Sequence, residues 1–144
     1  MKQILLIVCI AALYCIGCDV RNKNKAKIDT VAVMDSLQET SVTLIDSVYD
    51  FGKISEGEMV EFNYRFKNSG NKPLVVSNVS ASCGCTVPEK PEAPVQPGET
   101  GYIKVKFNSD KRVGEAHKTI TVQSNANPAF PELLLKGIVI SKTN

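Results

Sequence analysis

The sequence predicts an all-β sandwich of about seven strands, built from residues 41–144 and preceded by an export signal and a flexible tether. Three observations predict it. Residues 60–67 alternate strictly: Val60, Phe62, Tyr64 and Phe66 face one way and are expected to be buried, while Glu61, Asn63, Arg65 and Lys67 face the other. Period two over such a run is a half-buried strand. Turn signals then recur at intervals of about 8–12 residues, as they do in sandwiches. No helical period appears anywhere in residues 41–144. Roughly 100 residues suffice for a single core.

The N-terminus sets the compartment. Met1-Lys2 is followed by an unbroken apolar run from Ile4 to Ile16, 13 residues long. That is short of the ~20 a membrane-spanning helix needs. It fits the apolar region of a secretory signal. The run ends at Cys15-Ile16-Gly17-Cys18, which resembles a bacterial lipobox, although Cys15 stands where a leucine-like residue is usual. Residues 1–17 are thus expected to be a lipoprotein signal peptide, cut before a lipid-bearing Cys18. Residues 18–40 read as the lipidated N-terminus and a tether, rich in Asn, Lys, Asp and Thr up to Thr30, with a brief helix expected over 34–39. The expected location is the bacterial cell envelope, periplasm-facing or on the cell surface, with the membrane as one partner.

The whole chain carries 17 basic and 15 acidic side chains. Loss of Lys2 with the signal leaves a net charge of +1. That balance gives no footprint for nucleic acid, which calls for a basic face or stripe. The basic cluster Arg21, Lys23, Lys25 and Lys27 is read as a solvated spacer beside the lipid.

The strands follow in order. The first run is Val42 to Val48, closed by Phe51-Gly52. After residues 60–67, Asn68-Ser69-Gly70-Asn71 turns the chain, with Gly70 free to take a positive φ. Leu74-Val75-Val76 and Val79 form the next β-rich run. Pro97-Gly98-Glu99 is a turn in which Pro fixes one corner and Gly accepts the other. Tyr102–Phe107 alternates with Ile103, Val105 and Phe107 inward. Lys118–Gln123 places Ile120 and Val122 inward. The last runs are Leu133–Leu135 and Gly137–Ile140. The prolines of Pro88-Glu89-Lys90-Pro91-Glu92-Ala93-Pro94 read as a stiff, extended loop, and Glu89 and Glu92 as its solvated face.

Several of these motifs fall in one order. Tyr49-Asp50-Phe51-Gly52-Lys53-Ile54, Phe66–Leu74 and Ser80-Ala81-Ser82-Cys83-Gly84-Cys85-Thr86 come first. Pro97-Gly98-Glu99, Val105–Asn108, Lys118–Val122, Ser124-Asn125-Ala126 and Lys136-Gly137 follow. Over residues 45–140 the chain closely resembles the family catalogued as domain of unknown function 1573. The resemblance implies an immunoglobulin-like (Ig-like) sandwich, akin to the major-sperm-protein and cilium-associated groups, in an exported lipoprotein. It implies no activity.

Chemistry is concentrated at Cys83-Gly84-Cys85. With Cys9 and Cys15 removed and Cys18 acylated, these are the two remaining thiols, in a compartment where disulfides persist. Three readings stay open: a local disulfide, a redox pair, or a two-thiolate site for Cu(I). On a flat strand the two Cα atoms would lie ~6.5–7 Å apart, at the limit for a disulfide, so Gly84 is expected to bend the segment. A bridge over one residue constrains little chain, which serves a staple poorly and redox lability better. His117 is expected on the solvent face, and Met34 and Met59 as packing residues rather than metal ligands. No Ser/His/Asp set and no Gly-rich phosphate loop is present. Thiol chemistry aside, the chain reads as a binding or assembly module with a protein partner, not as an enzyme, and without a cofactor.

Overall fold

The computed structural model describes residues 38–142. The expected signal segment, Cys18, Met34 and the tether up to residue 37 lie outside the described residues. Of the helix expected over 34–39, Gln38 and Glu39 are described, and neither is helical.

Eight strands form: β1 (Val42–Leu44), β2 (Val48–Ser55), β3 (Met59–Asn68), β4 (Val76–Ala81), β5 (Thr86–Glu89), β6 (Thr100–Asn108), β7 (Gly114–Ser124) and β8 (Leu133–Ile140). They make two four-stranded sheets, ordered β1-β3-β6-β5 and β2-β8-β7-β4. Every strand pairing is antiparallel except that of β2 with β8. The fold is therefore the all-β sandwich the alternation predicts.

The period-two pattern builds the core directly. β3 and β6 pair with Tyr64 opposite Ile103 and Val60 opposite Phe107, so their apolar residues share the inner face. Tyr64, Phe66, Ile103, Val105 and Phe107 meet Ile120, Val122, Leu133, Leu135 and Val139 from the other sheet, all buried. The Tyr64 hydroxyl donates to the Leu134 carbonyl at 2.8 Å, one polar link between the sheets. Burial pushes the Tyr64 phenol well above its ordinary pKa.

Five expectations are corrected. The run Val42–Val48 is two strands, not one. Asp46 breaks it: its carboxylate accepts from the Arg65 backbone N–H, from Nε at 2.8 Å and from Nη2 at 3.0 Å. The chain then leaves the first sheet, and β2 joins the second beside β8. Residues 86–89, partly read as loop, form β5. Pro88 is tolerated there because β5 is an edge strand, where a missing N–H costs no ladder bond. Leu133–Ile140 is one strand rather than two runs. Gly137 allows this, because a Cβ there would collide with the Phe51 ring. Gly70 does not take a positive φ. Its lack of a side chain matters instead, since a Cβ would strike Thr40 Oγ1 and the Ser41 backbone. Phe62, finally, is half-buried, stacked on Tyr49 with ring centroids 3.9 Å apart.

Candidate functional site at the sheet crossover

β4 belongs to one sheet and β5 to the other, so residues 82–85 carry the chain across the sandwich edge. Hydrogen bonds pin both ends of this crossing. The Ser82 N–H donates to the Thr119 carbonyl at 3.0 Å, and Ser82 Oγ accepts from the Thr119 N–H at 3.2 Å. The Asn108 N–H donates to the Cys85 carbonyl at 2.9 Å. Between these anchors the Thr86 N–H reaches the Cys83 carbonyl at 3.2 Å, closing a turn around Gly84 and Cys85.

The turn, rather than a kinked strand, brings the cysteines together. Their Cα atoms lie 5.3 Å apart and their sulfurs are joined. Gly84 is exposed and does not sit at a positive φ, and a Cβ added there meets nothing within 4 Å. The bend therefore needs no glycine on steric grounds, contrary to the expectation from the spacing.

Cys83 and Cys85 are half-buried, and Cys85 packs against the core. Thr86, directly after them, is 3 % exposed. Its Oγ1 lies 3.6 Å from Cys83 Sγ and 3.8 Å from Cys85 Sγ. Disulfide sulfurs carry no proton, so the hydroxyl donates. Among the described residues Oγ1 makes no other hydrogen bond. Sequence reasoning passed over Thr86. Its signal was a β-branched hydroxyl placed immediately after Cys85, at the head of an edge strand.

The surroundings are mixed. Glu89 reaches Lys106 at 3.6 Å and Lys104 at 3.9 Å on the outer face of the first sheet, and Glu92 is exposed. Met59, expected as a packing residue, is instead 60 % exposed opposite Asn108, because it opens β3 on the outward-facing side of the alternation, and Val87 (55 % exposed) lies opposite Lys106. His117 is exposed, in a shallow depression of about 350 Å³ lined also by Asp50, Lys53, Glu115 and Lys136, which includes neither cysteine. Among the described residues no group of three or more His, Cys, Asp or Glu could hold a metal ion. Cu(I) at this site would have two thiolates, and only after reduction.

Two facing four-stranded sheets with this strand order define an Ig-like β-sandwich. The family model described as protein of unknown function (DUF1573) matches residues 42–139, and the chain belongs to that family. Among solved structures, a protein of unknown function from Porphyromonas gingivalis W83 superposes with a TM-score of 0.62 at 16% identity. The match covers 72% of this chain and 48% of that one, so this chain spans about half its length. The ASH / PapD-like domain 7 of human CEP192 matches with a TM-score of 0.59 at 13% identity, covering 73% and 89%. The secreted serine protease VesC of Vibrio cholerae matches with a TM-score of 0.52 at 13% identity, over 75% of this chain and 25% of that one. At these identities the likeness is one of fold. A search of curated proteins finds no match.

Proposed function

We propose that this chain is a lipid-anchored protein of the bacterial cell envelope whose Ig-like domain binds a protein partner as an assembly module. The Ile16-Gly17-Cys18 junction at the end of the apolar run supports the anchor. One structural observation carries the binding role. Met59 and Val87, the two exposed apolar side chains flanking the Cys85 end of β6, share the outer face of the first sheet. Elsewhere on that face Glu61, Glu89, Lys104 and Lys106 pair with one another. Exposed apolar surface rimmed by polar and charged residues is the arrangement in which a protein interface has an apolar centre and a polar rim. The domain acts by contact, without nucleic acid and without a resident cofactor.

Two measurements test this reading. Intact-mass analysis of membrane-extracted protein is expected to give an N-terminus at lipid-bearing Cys18, with Cys18→Ser released from the membrane. A photo-crosslinking side chain at position 87 is expected to give a product of discrete mass, while the same group at Thr121, on the other sheet, gives none. Equal crosslinking at both positions, or none at either, removes the binding face.

A second reading is favoured by the Thr86 contacts: Cys83 and Cys85 exchange with a partner's thiols or, once reduced, take Cu(I). Thiol titration of the purified protein, alone and with Cu(I), separates the two.

A further inference from the structure

We propose that Thr86 Oγ1 is the hydrogen-bond donor that activates the Cys83–Cys85 disulfide for exchange with a dithiol. The proposal rests on the redox branch of the second reading above.

The argument begins with a buried hydroxyl in poor company. Burying a hydroxyl costs free energy unless it is hydrogen-bonded. Here the partners of Oγ1 among the described residues are the two sulfurs, at 3.6 and 3.8 Å. Disulfide sulfur is a weak acceptor. A thiolate is an ionised one, and hydrogen bonds to ionised acceptors are markedly stronger. The hydroxyl therefore contributes little while the bridge is closed and much once it opens. Valine would fill the same volume on an edge strand without the desolvation cost. Only the open state draws full benefit from threonine. Near-equal distances let one hydroxyl serve whichever sulfur leaves.

Access is arranged as well. Both cysteines are half-exposed, and the space above Gly84 is open for 4 Å. An approaching thiol meets no atom of another segment beside the Gly84 Cα. The charged or titratable residues on the elements that hold the turn are Glu89 on β5, Lys104 and Lys106 on β6, Asp110, Lys111 and Arg112 just beyond it, and Glu115, His117 and Lys118 on β7. None of them makes a hydrogen bond to either sulfur, so the stabilisation of a thiolate falls to Thr86.

The exchange balances as follows. A partner dithiol attacks one sulfur through its thiolate, and a mixed disulfide forms as the Cys83–Cys85 bond breaks. The other sulfur departs with the electron pair, and Oγ1–H donates to it. The partner's second thiol then attacks the mixed disulfide and frees the remaining cysteine. The partner is oxidised to a disulfide, while Cys83 and Cys85 gain two electrons and two protons.

The test uses the purified full chain, with dithiothreitol as the dithiol. Thr86→Val is expected to slow reduction about tenfold, the value of one hydrogen bond to a charged group. It is also expected to raise the pH midpoint for alkylation of the reduced pair by about one unit. Thr86→Ser, which restores the hydroxyl, is expected to restore both. A filler of volume alone would move neither quantity. If the wild-type bridge itself resists dithiothreitol, the redox reading falls and takes this inference with it. If the wild type is reduced readily and Thr86→Val matches it in rate and midpoint, the role of Thr86 alone falls. Should circular dichroism show Thr86→Val unfolded, the wild type decides. An alkylation midpoint below the ~8.5 of free cysteine supports the donor, and one at or above it overturns the proposal.

Discussion

At the scale of single residues, Asn68 shows how much one polar side chain organises. It is completely buried at the end of β3. Its amide donates to the Lys72 carbonyl at 2.7 Å and to the Val95 carbonyl at 2.8 Å. Its Oδ1 accepts from Thr40 Oγ1 and from the Gly70 N–H, both at 3.1 Å. Two segments distant in sequence, at Thr40 and Val95, are thus tied to the turn that follows β3 through one side chain. In the sequence Asn68 looks like any turn-former beside Ser69 and Gly70, because its partners at residues 40 and 95 leave no local trace. Asn68→Ala is expected to cost roughly 2–3 kcal/mol in denaturant titration, limited because the Val95 carbonyl keeps its bond from the Leu74 N–H. Two phenylalanines on β3 provide a contrast. Phe66 is 1 % exposed and meets Phe130 edge to face. Phe66→Ala should cost about 3–5 kcal/mol, the range for a buried phenylalanine, and half-buried Phe62→Ala about half of that. Equal losses at the two positions would contradict the burial difference.

At the scale of elements, what could be read and what could not divide along one line. β3, β6 and β7 were legible because one face of each meets the core and the other meets water, which prints period two into the chain. The end of β1 and the start of β2 were not. Whether a strand continues in its own sheet or changes sheets is decided by a partner far away, here Arg65. β5 was obscured by Pro88, whose tolerance depends on an edge position that sequence does not disclose. The Cys83-Gly84-Cys85 pair was legible as a candidate site, whereas Thr86 was not, because a threonine in a strand has an ordinary explanation. The β1–β2 break yields a pH prediction. The Arg65 side-chain hydrogen bonds hold the Asp46 carboxyl below its ordinary value of 3.8. Since the folded value is the lower one, the contribution is complete above pH 3.8. It is lost as pH falls through the depressed folded value. Asp46→Asn is therefore expected to be less stable than wild type at neutral pH, with the gap closing in acid. A gap that stays constant down to pH 2 would remove Asp46 as its origin.

At the scale of the whole sandwich, the position of the disulfide decides what it is for. Stability resides in two sheets whose inner faces interlock, tied by the Tyr64–Leu134 hydrogen bond, and neither cysteine belongs to the fully buried set. All four edge strands are blunted by local devices: β1 by its three residues, β5 by Pro88, and β2 and β4 by register shifts. The crossover is therefore not needed to protect an edge. It is held at both ends by backbone bonds to β6 and β7 that do not involve sulfur. The bridge closes a loop with a sequence separation of 2, so opening it releases little chain entropy. On the chain-entropy relation that is roughly 1–2 kcal/mol, or about 5–10 °C in melting temperature for a domain of this size. Reduced protein, and the Cys83→Ser/Cys85→Ser double variant, are both expected to keep the far-ultraviolet circular dichroism of the oxidised form and to melt within that interval below it. Unfolding on mild reduction would make the bridge a staple that the backbone bonds cannot replace. Retention of the fold leaves the pair free to open and close on a rigid frame, the condition thiol exchange at this crossover requires.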